Sequence, residues 1–197
     1  MNNPTSVATI EVEIRGVLDE NKFQQISLYL KENSSNIIID NRKTVFFIMP
    51  GKTLKVSEYV NKHKAKIALK IGDIVKDKSQ TEFELYFTSD QFENAVMIFK
   101  NLGFTDIQYT AQERTDYEYK NCTISLKWSE DWGYHFEIEK VVSDENIISD
   151  TRQYLLAIAG ELGLTIMNEQ EFGYRCEEID KKHRLKLMSN DTSIPTS

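Results

Sequence analysis

The sequence predicts an α+β fold: an antiparallel β-sheet of about eight strands with helices laid against its apolar face. Three observations predict it. Several segments alternate apolar and charged residues with a period of two, as a strand requires. Two segments, near residues 20–30 and 90–102, repeat apolar residues at helical spacing. Short turn signals separate most of the strands, which favours antiparallel neighbours. At 197 residues, with 40% hydrophobic and 11% aromatic content, the chain is long enough for one domain with a substantial core.

Residues 1–8 read as a flexible lead-in and residues 9–187 as one domain. In TIEVEIRGVL, Glu11, Glu13 and Arg15 share one face while Ile10, Val12 and Ile14 share the other. Asp19 then suits the N-cap of a helix that turns Phe23, Ile26, Leu30 and Tyr29 inward. IIIDN and TVFFIMP read as strand material closed by a turn at Pro50-Gly51, and TLKVSEYV and KAKIALKIG as the next two strands. The latter sets Lys66 and Lys70 opposite Ile67, Leu69 and Ile71. DIVKDKSQ is a polar loop. TEFELYF is a strand with Glu82 and Glu84 on one face and Phe83, Leu85 and Phe87 on the other.

A helix capped by Ser89 or Asp90 follows, with Phe92, Ala95, Val96, Phe99 and Leu102 as its apolar stripe and Gly103 as its stop. DIQYTAQERTDYEYK, NCTISLKW and YHFEIEKVV are three further antiparallel strands, and SEDWG turns between the last two. Lys127 opposes Ile124, Leu126 and Trp128, while Glu137 and Glu139 oppose Phe136 and Ile138. Helices then run from Ser143 or Asp144, and a short last one spans GYRCEEIDKKHR. The polar tail 188–197 reads as disordered.

Several strands thus pair an apolar face with a charged face carrying both signs. An open sheet would leave the charges in solvent, whereas a closed barrel would gather them in its lumen. Carboxylates and cations buried together must pair or bind something. Divalent metal and polyanionic phosphate would satisfy both signs. The formal charge of −7 gives no general case for binding a nucleic-acid backbone, and double-stranded nucleic acid is not an expected partner. No apolar run reaches the length of a membrane span, no signal peptide is apparent, and no membrane partner is expected. Cys122 and Cys176 read as reduced thiols of a cytoplasmic protein. His63, His135 and His183 form no recognised metal spacing.

Three segments together resemble a known family. Glu11-x-Glu13-x-Arg15 resembles the ExExK signature of the CYTH superfamily, the triphosphate tunnel metalloenzymes. FKNLGF followed by QERTDY is similar to the "LGF … K-x-R-x-x-Y" step of its class IV adenylyl cyclase branch. ISLKWSEDWGYHFEIE is similar to its "I-x-L-D … G-x-F-x-E-I-E" segment. Order and approximate spacing agree over residues 9–165.

The resemblance implies an antiparallel eight-stranded β-barrel, the triphosphate tunnel, with flanking helices. It implies Mg²⁺ or Mn²⁺ on Glu11, Glu13, Glu82, Glu84, Glu137 and Glu139, since hard cations take carboxylate oxygen and substrate phosphate. It implies phosphate contact by Arg15, Lys55, Lys66, Lys70, Arg114 and Lys127, and catalytic roles for Glu11, Glu13, Lys70 and Arg114. The implied ligand is a small molecule bearing a triphosphate: ATP, another nucleoside triphosphate, thiamine triphosphate or tripolyphosphate. The first activity implied is metal-dependent phosphohydrolysis. Alternatives are a class IV-type adenylyl cyclase making cyclic AMP and pyrophosphate, and a degenerate tunnel that binds without turnover. A homodimer is the oligomer the resemblance suggests. The chain departs from the family pattern at Ser57, Gln80, Gln112 and Lys127, where the family carries arginine, arginine, lysine and aspartate.

Overall fold

The computed structural model describes residues 10–49, 51–71 and 81–190. Within them are nine strands and four α-helices: β1 (Ile10–Val17), α1 (Glu20–Asn33), β2 (Asn36–Ile39), β3 (Arg42–Met49), β4 (Lys52–Tyr59), β5 (Lys64–Ile71), β6 (Thr81–Thr88), α2 (Phe92–Asn101), β7 (Ile107–Tyr119), β8 (Cys122–Ser129), β9 (Gly133–Val142), α3 (Ile148–Glu161) and α4 (Glu169–Asn190). The α+β antiparallel fold expected from the sequence is present. The lead-in 1–8, the polar loop expected at residues 73–80 and tail residues 191–197 lie outside the described residues. Among the described residues no helix is long and apolar enough to cross a membrane.

Packing divides the chain into two compact units. The first comprises residues 1–40 and 112–167. Its antiparallel sheet runs β1–β9–β8–β7, with β2 on the other edge of β7. The alternation seen in the sequence sends Val12, Ile14, Ile124, Leu126, Phe136 and Ile138 to one face. There they form a core with Ile26 and Leu30 of α1 and Leu155 and Ile158 of α3. The Asp19 side chain caps α1 by accepting from Lys22 N at 2.7 Å, satisfying one of the unpaired N–H groups of the first turn. Tyr29, expected inside, stays partly exposed, and its hydroxyl meets that of Tyr119 at 3.1 Å. The β7–β8 hairpin closes on Lys120 and Asn121, both at positive φ, as a two-residue hairpin turn demands.

One close approach fixes a residue outright. A Cβ on Gly16 would lie 2.2 Å from Thr165 O and 2.7 Å from a carbon of the Phe136 ring. Neither the backbone carbonyl nor the fully buried ring can move aside cheaply. Gly16→Ala is therefore expected to destabilise the protein by about 2 kcal/mol or more, read as a lowered midpoint in urea with an unchanged slope.

The second unit comprises residues 41–111 and 168–197. Its strands β3–β4–β5–β6 are antiparallel neighbours, and α2 lies on their apolar face. Val45, Phe47, Leu54, Val56 and Ala65 meet Phe92, Ala95 and Val96 of the helix. Phe47, Phe99 and Phe104 add three ring contacts with centroids 5.1–6.1 Å apart, favourable beyond their buried area.

Three expectations need correction here. Leu102 is 69% exposed, because α2 ends at Asn101 and Gly103 turns away at φ +95°. Phe83 and Leu85 are 58% and 64% exposed. They sit on the last strand of this unit, while Phe87, nearer the helix, packs on the core. The last helix is long, 22 residues, and reaches Asn190, past the expected start of the tail. Its start is marked by a reciprocal cap: Asn168 N donates to Glu171 Oε2 at 2.8 Å and Glu171 N to Asn168 Oδ1 at 2.9 Å. That Asn-x-x-Glu spacing was legible in the sequence.

Candidate active site

In the first unit, the face opposite the helices collects the charged residues of four strands, and the cross-strand register decides which ones meet. Glu13 lies opposite Glu139 and Arg15 opposite Glu137. Glu137 lies opposite Ser125, and Ser125 opposite Asp116. Lys127 lies between His135 and Arg114. The face therefore grades from an acidic end, with Glu11, Glu13, Glu139 and Glu118, to a cationic end with Arg15, Arg114 and Lys127.

At the cationic end every positive charge has a carboxylate. Arg114, buried, donates from Nε to Asp116 Oδ1 at 2.6 Å, and its Nη1 lies 4.0 Å from Glu137 Oε2. Ser125 Oγ donates to the same Asp116 oxygen at 2.7 Å. Lys127, also buried, pairs with Glu137. His135 is buried beside them. Its Nδ1 lies 2.9 Å from Gly133 O and its Nε2 3.2 Å from Gln112 Nε2. The carbonyl can only accept, so Nδ1 carries a proton, and Nε2 faces the Gln112 amide.

The acidic end is less satisfied. Glu139 is pushed up to about 7, first by burial and then by its hydrogen bond with the Glu11 carboxyl and that carboxyl's charge. Arg114 and Lys127 pull it down only in part. Burial and a neighbouring carboxylate both disfavour a charge on Glu139. Glu13 Oε1 is buried and makes no hydrogen bond, although Arg15 Nη2 lies 2.8 Å away.

This donor set fits a divalent cation of the Mg²⁺ or Mn²⁺ kind. A cation there would offset the charges of Glu11 and Glu139 beside Glu13. Among the described residues, no three His, Cys, Asp or Glu side chains converge as a ready-made ligand cage. Mg²⁺ does not need one: it commonly takes one or two carboxylates and leaves the remaining positions to water and phosphate. Glu11 and Glu139, with Glu13 beside them, could hold it.

The second unit carries its own polar face, formed by Arg42, Thr44, Ser57, Lys55, Tyr59, Lys64, Lys66, Lys70, Glu84 and Tyr86 on β3–β6. Lys55, Lys66 and Lys70 all lie on it, as the alternation predicts. Glu84 is already engaged: Lys66 pairs with Oε1, and the Tyr86 hydroxyl donates to Oε2 at 2.8 Å. Burial raises Glu84, but these two hydrogen bonds outweigh it and hold the carboxyl below its usual range. Burial likewise lowers Lys66, and the Glu84 hydrogen bond together with the charges of Tyr59, Glu84 and Tyr86 raises it above its usual range. Glu84 thus serves Lys66 more directly than it would serve a metal. Glu82 faces Lys70 in the register, and its side chain lies outside the described residues. Where the family carries a second arginine, the Ser57 hydroxyl is buried and lies 3.0 Å from Thr44 Oγ1.

The sequence reading passed over Asp116, Tyr59 and Tyr86. Asp116 had a signal, because it alternates with Arg114 and Glu118 along β7. The tyrosines had none, since polar-face aromatics look like any half-exposed residue of a strand.

A family model described as the CYTH domain matches residues 10–170. The chain belongs to the CYTH family. No curated protein matches this CYTH chain. Solved structures do match it, and they agree on the fold. The PH1012 protein of Pyrococcus horikoshii is 24% identical, covering 80% of this chain and 94% of its own, with a TM-score of 0.63. A candidate adenylate cyclase from Vibrio parahaemolyticus is 18% identical over 79% and 90% of the two chains, with a TM-score of 0.59. A candidate adenylyl cyclase from Hippeastrum, described as having a dominant triphosphatase activity, is 15% identical over 81% and 90%, with a TM-score of 0.54. The matched residues of this CYTH domain include every strand of both polar faces.

Proposed function

We propose that this CYTH domain is a metal-dependent phosphohydrolase acting on a nucleoside triphosphate or on inorganic triphosphate. The observation that carries the reading is the gathering of Glu11, Glu13 and Glu139 on the same sheet face as Arg15, Arg114 and Lys127. Carboxylates gathered on one face suit a hard divalent cation, and cations on the same face suit the phosphates it would accompany. The dominant triphosphatase activity of the Hippeastrum protein supports the choice of hydrolysis over cyclisation.

Each residue has a role in this reading. Glu11 and Glu139, assisted by Glu13, hold the cation. When bound, the cation neutralises charge on the triphosphate oxygens. Arg15, Arg114 and Lys127 bind phosphate oxygens and stabilise the charge that builds on them during transfer, which is most of what phosphoryl transfer asks of a protein. Arginine can do this with two parallel N–H groups, lysine only as a point charge. Asp116 and Glu137 keep Arg114 and Lys127 fixed before substrate arrives. On the second unit, Lys55, Lys66 and Lys70 are cations of the kind that bind phosphate.

A second reading, binding without turnover, is favoured by one observation. Lys127 engages Glu137, a carboxylate that the resemblance assigns to metal.

Product analysis separates these readings. The protein is incubated with ATP, GTP or tripolyphosphate, each with Mg²⁺ and with Mn²⁺. Orthophosphate release is expected. Cyclic nucleotide with pyrophosphate would establish a cyclase instead, and metal-dependent binding without any product would establish the non-catalytic reading.

A further inference from the structure

The cationic face of the second unit has a feature that triphosphate binding does not call for. Two tyrosines stand among its cations. The Arg42 guanidinium lies 4.9 Å from the centre of the Tyr59 ring, and Lys62 Nζ lies 5.7 Å from the same ring. Lys64 Nζ lies 3.8 Å from the centre of the Tyr86 ring and Lys66 Nζ 5.8 Å. Tyr59 faces Lys64, and Lys66 faces Tyr86, so both phenols flank this pair of lysines.

Tyr86 is held in place. Its hydroxyl donates to Glu84, and the other oxygen of that carboxylate holds Lys66. One carboxylate thus fixes an aromatic ring and a cation beside each other. Tyr86 is nevertheless 47% exposed, which leaves ring surface for a ligand. An inorganic polyphosphate could use the lysines but has nothing to place on an aromatic ring. A nucleotide has both parts: a base with a π-face and a charged phosphate chain. Stacking on aromatic side chains tolerates any base.

Resting on the reading above that this domain takes a triphosphate, we propose that Tyr86 is a specificity-determining residue of the second unit: it takes the base of a nucleoside triphosphate whose phosphates engage Lys66. The substrate is then a nucleoside triphosphate rather than free inorganic triphosphate. Glu84 is the positioning residue for both groups.

The test compares the affinities of ATP and tripolyphosphate, measured by calorimetry with Mg²⁺ at fixed ionic strength. Tyr86→Leu is expected to weaken ATP by about tenfold and to leave tripolyphosphate within about twofold. Tyr86→Phe keeps the ring but loses its hydrogen bond to Glu84, and is expected to fall between wild type and Tyr86→Leu with ATP and to leave tripolyphosphate within about twofold. Equal losses for both ligands in Tyr86→Leu would overturn the proposal, because the side chain would then serve phosphate or fold. No loss for either would overturn it too, while leaving the phosphohydrolase reading untouched. Failure of the wild-type protein to bind either ligand would sink the phosphohydrolase reading, and this proposal with it.

Discussion

Replacing Glu11 and Glu139 together by glutamine is expected to lower metal-dependent orthophosphate release by at least about a hundredfold. Losing the groups that hold and neutralise the reacting phosphates typically has an effect of this size. The same substitution is not expected to unfold the protein. It removes two neighbouring acids, and amides can hydrogen-bond to each other in their place. The variant therefore separates chemistry from stability: phosphate assays should collapse while the melting temperature holds or rises. Parallel loss of both would show that the carboxyl pair serves the fold.

The wild-type protein should also show a pH signature that the variant lacks. Glu139 keeps its proton up to about pH 7 in the folded chain, while an unfolded glutamate releases it near 4.5. Between those values the folded state binds more protons, so stability falls as pH rises. The contribution is complete below about pH 4.5 and is lost as pH passes 7. On the proposed reading a divalent cation takes the place of that proton. Adding Mn²⁺ above pH 7 should accordingly raise the melting temperature of the wild type and leave the double variant unmoved.

Arg114→Ala should produce the largest loss of stability among the charged residues of this face. Arg114 is buried, and its removal leaves Asp116, also well shielded, without its cation, and takes one from beside Glu137. Breaking a buried pair from one side costs about 3–5 kcal/mol, which for a chain of this length lowers the melting temperature by roughly 6–20 °C. The cost belongs to the stranded acid rather than to the missing arginine. Arg114→Met combined with Asp116→Asn should therefore recover a good part of it. A double variant as unstable as Arg114→Ala would place the loss in packing instead.

Much of this was legible in the chain because a strand's side chains alternate without exception. Glu11, Glu13 and Arg15 had to share a face once Ile10, Val12 and Ile14 were committed to a core, and the same holds for Glu137 with Glu139 and for Lys66 with Lys70. The Asp19 cap and the apolar stripe of α2 were equally local. Alternation says nothing about an edge, however: it places Phe83 and Leu85 on the apolar face of their strand, where they stay exposed.

What the sequence could not supply was register. Lys127 and Glu137 are ten residues apart in sequence, and Glu11 and Glu139 more than a hundred. Whether such residues meet depends on how far each strand slides along its neighbour before the turns and the core fix it. Only that tertiary alignment decided that Lys127 meets Glu137, that Lys66 reaches Glu84 and that Glu11 comes to lie beside Glu139. Composition set the charges on each face. Cross-strand packing decided which of them meet.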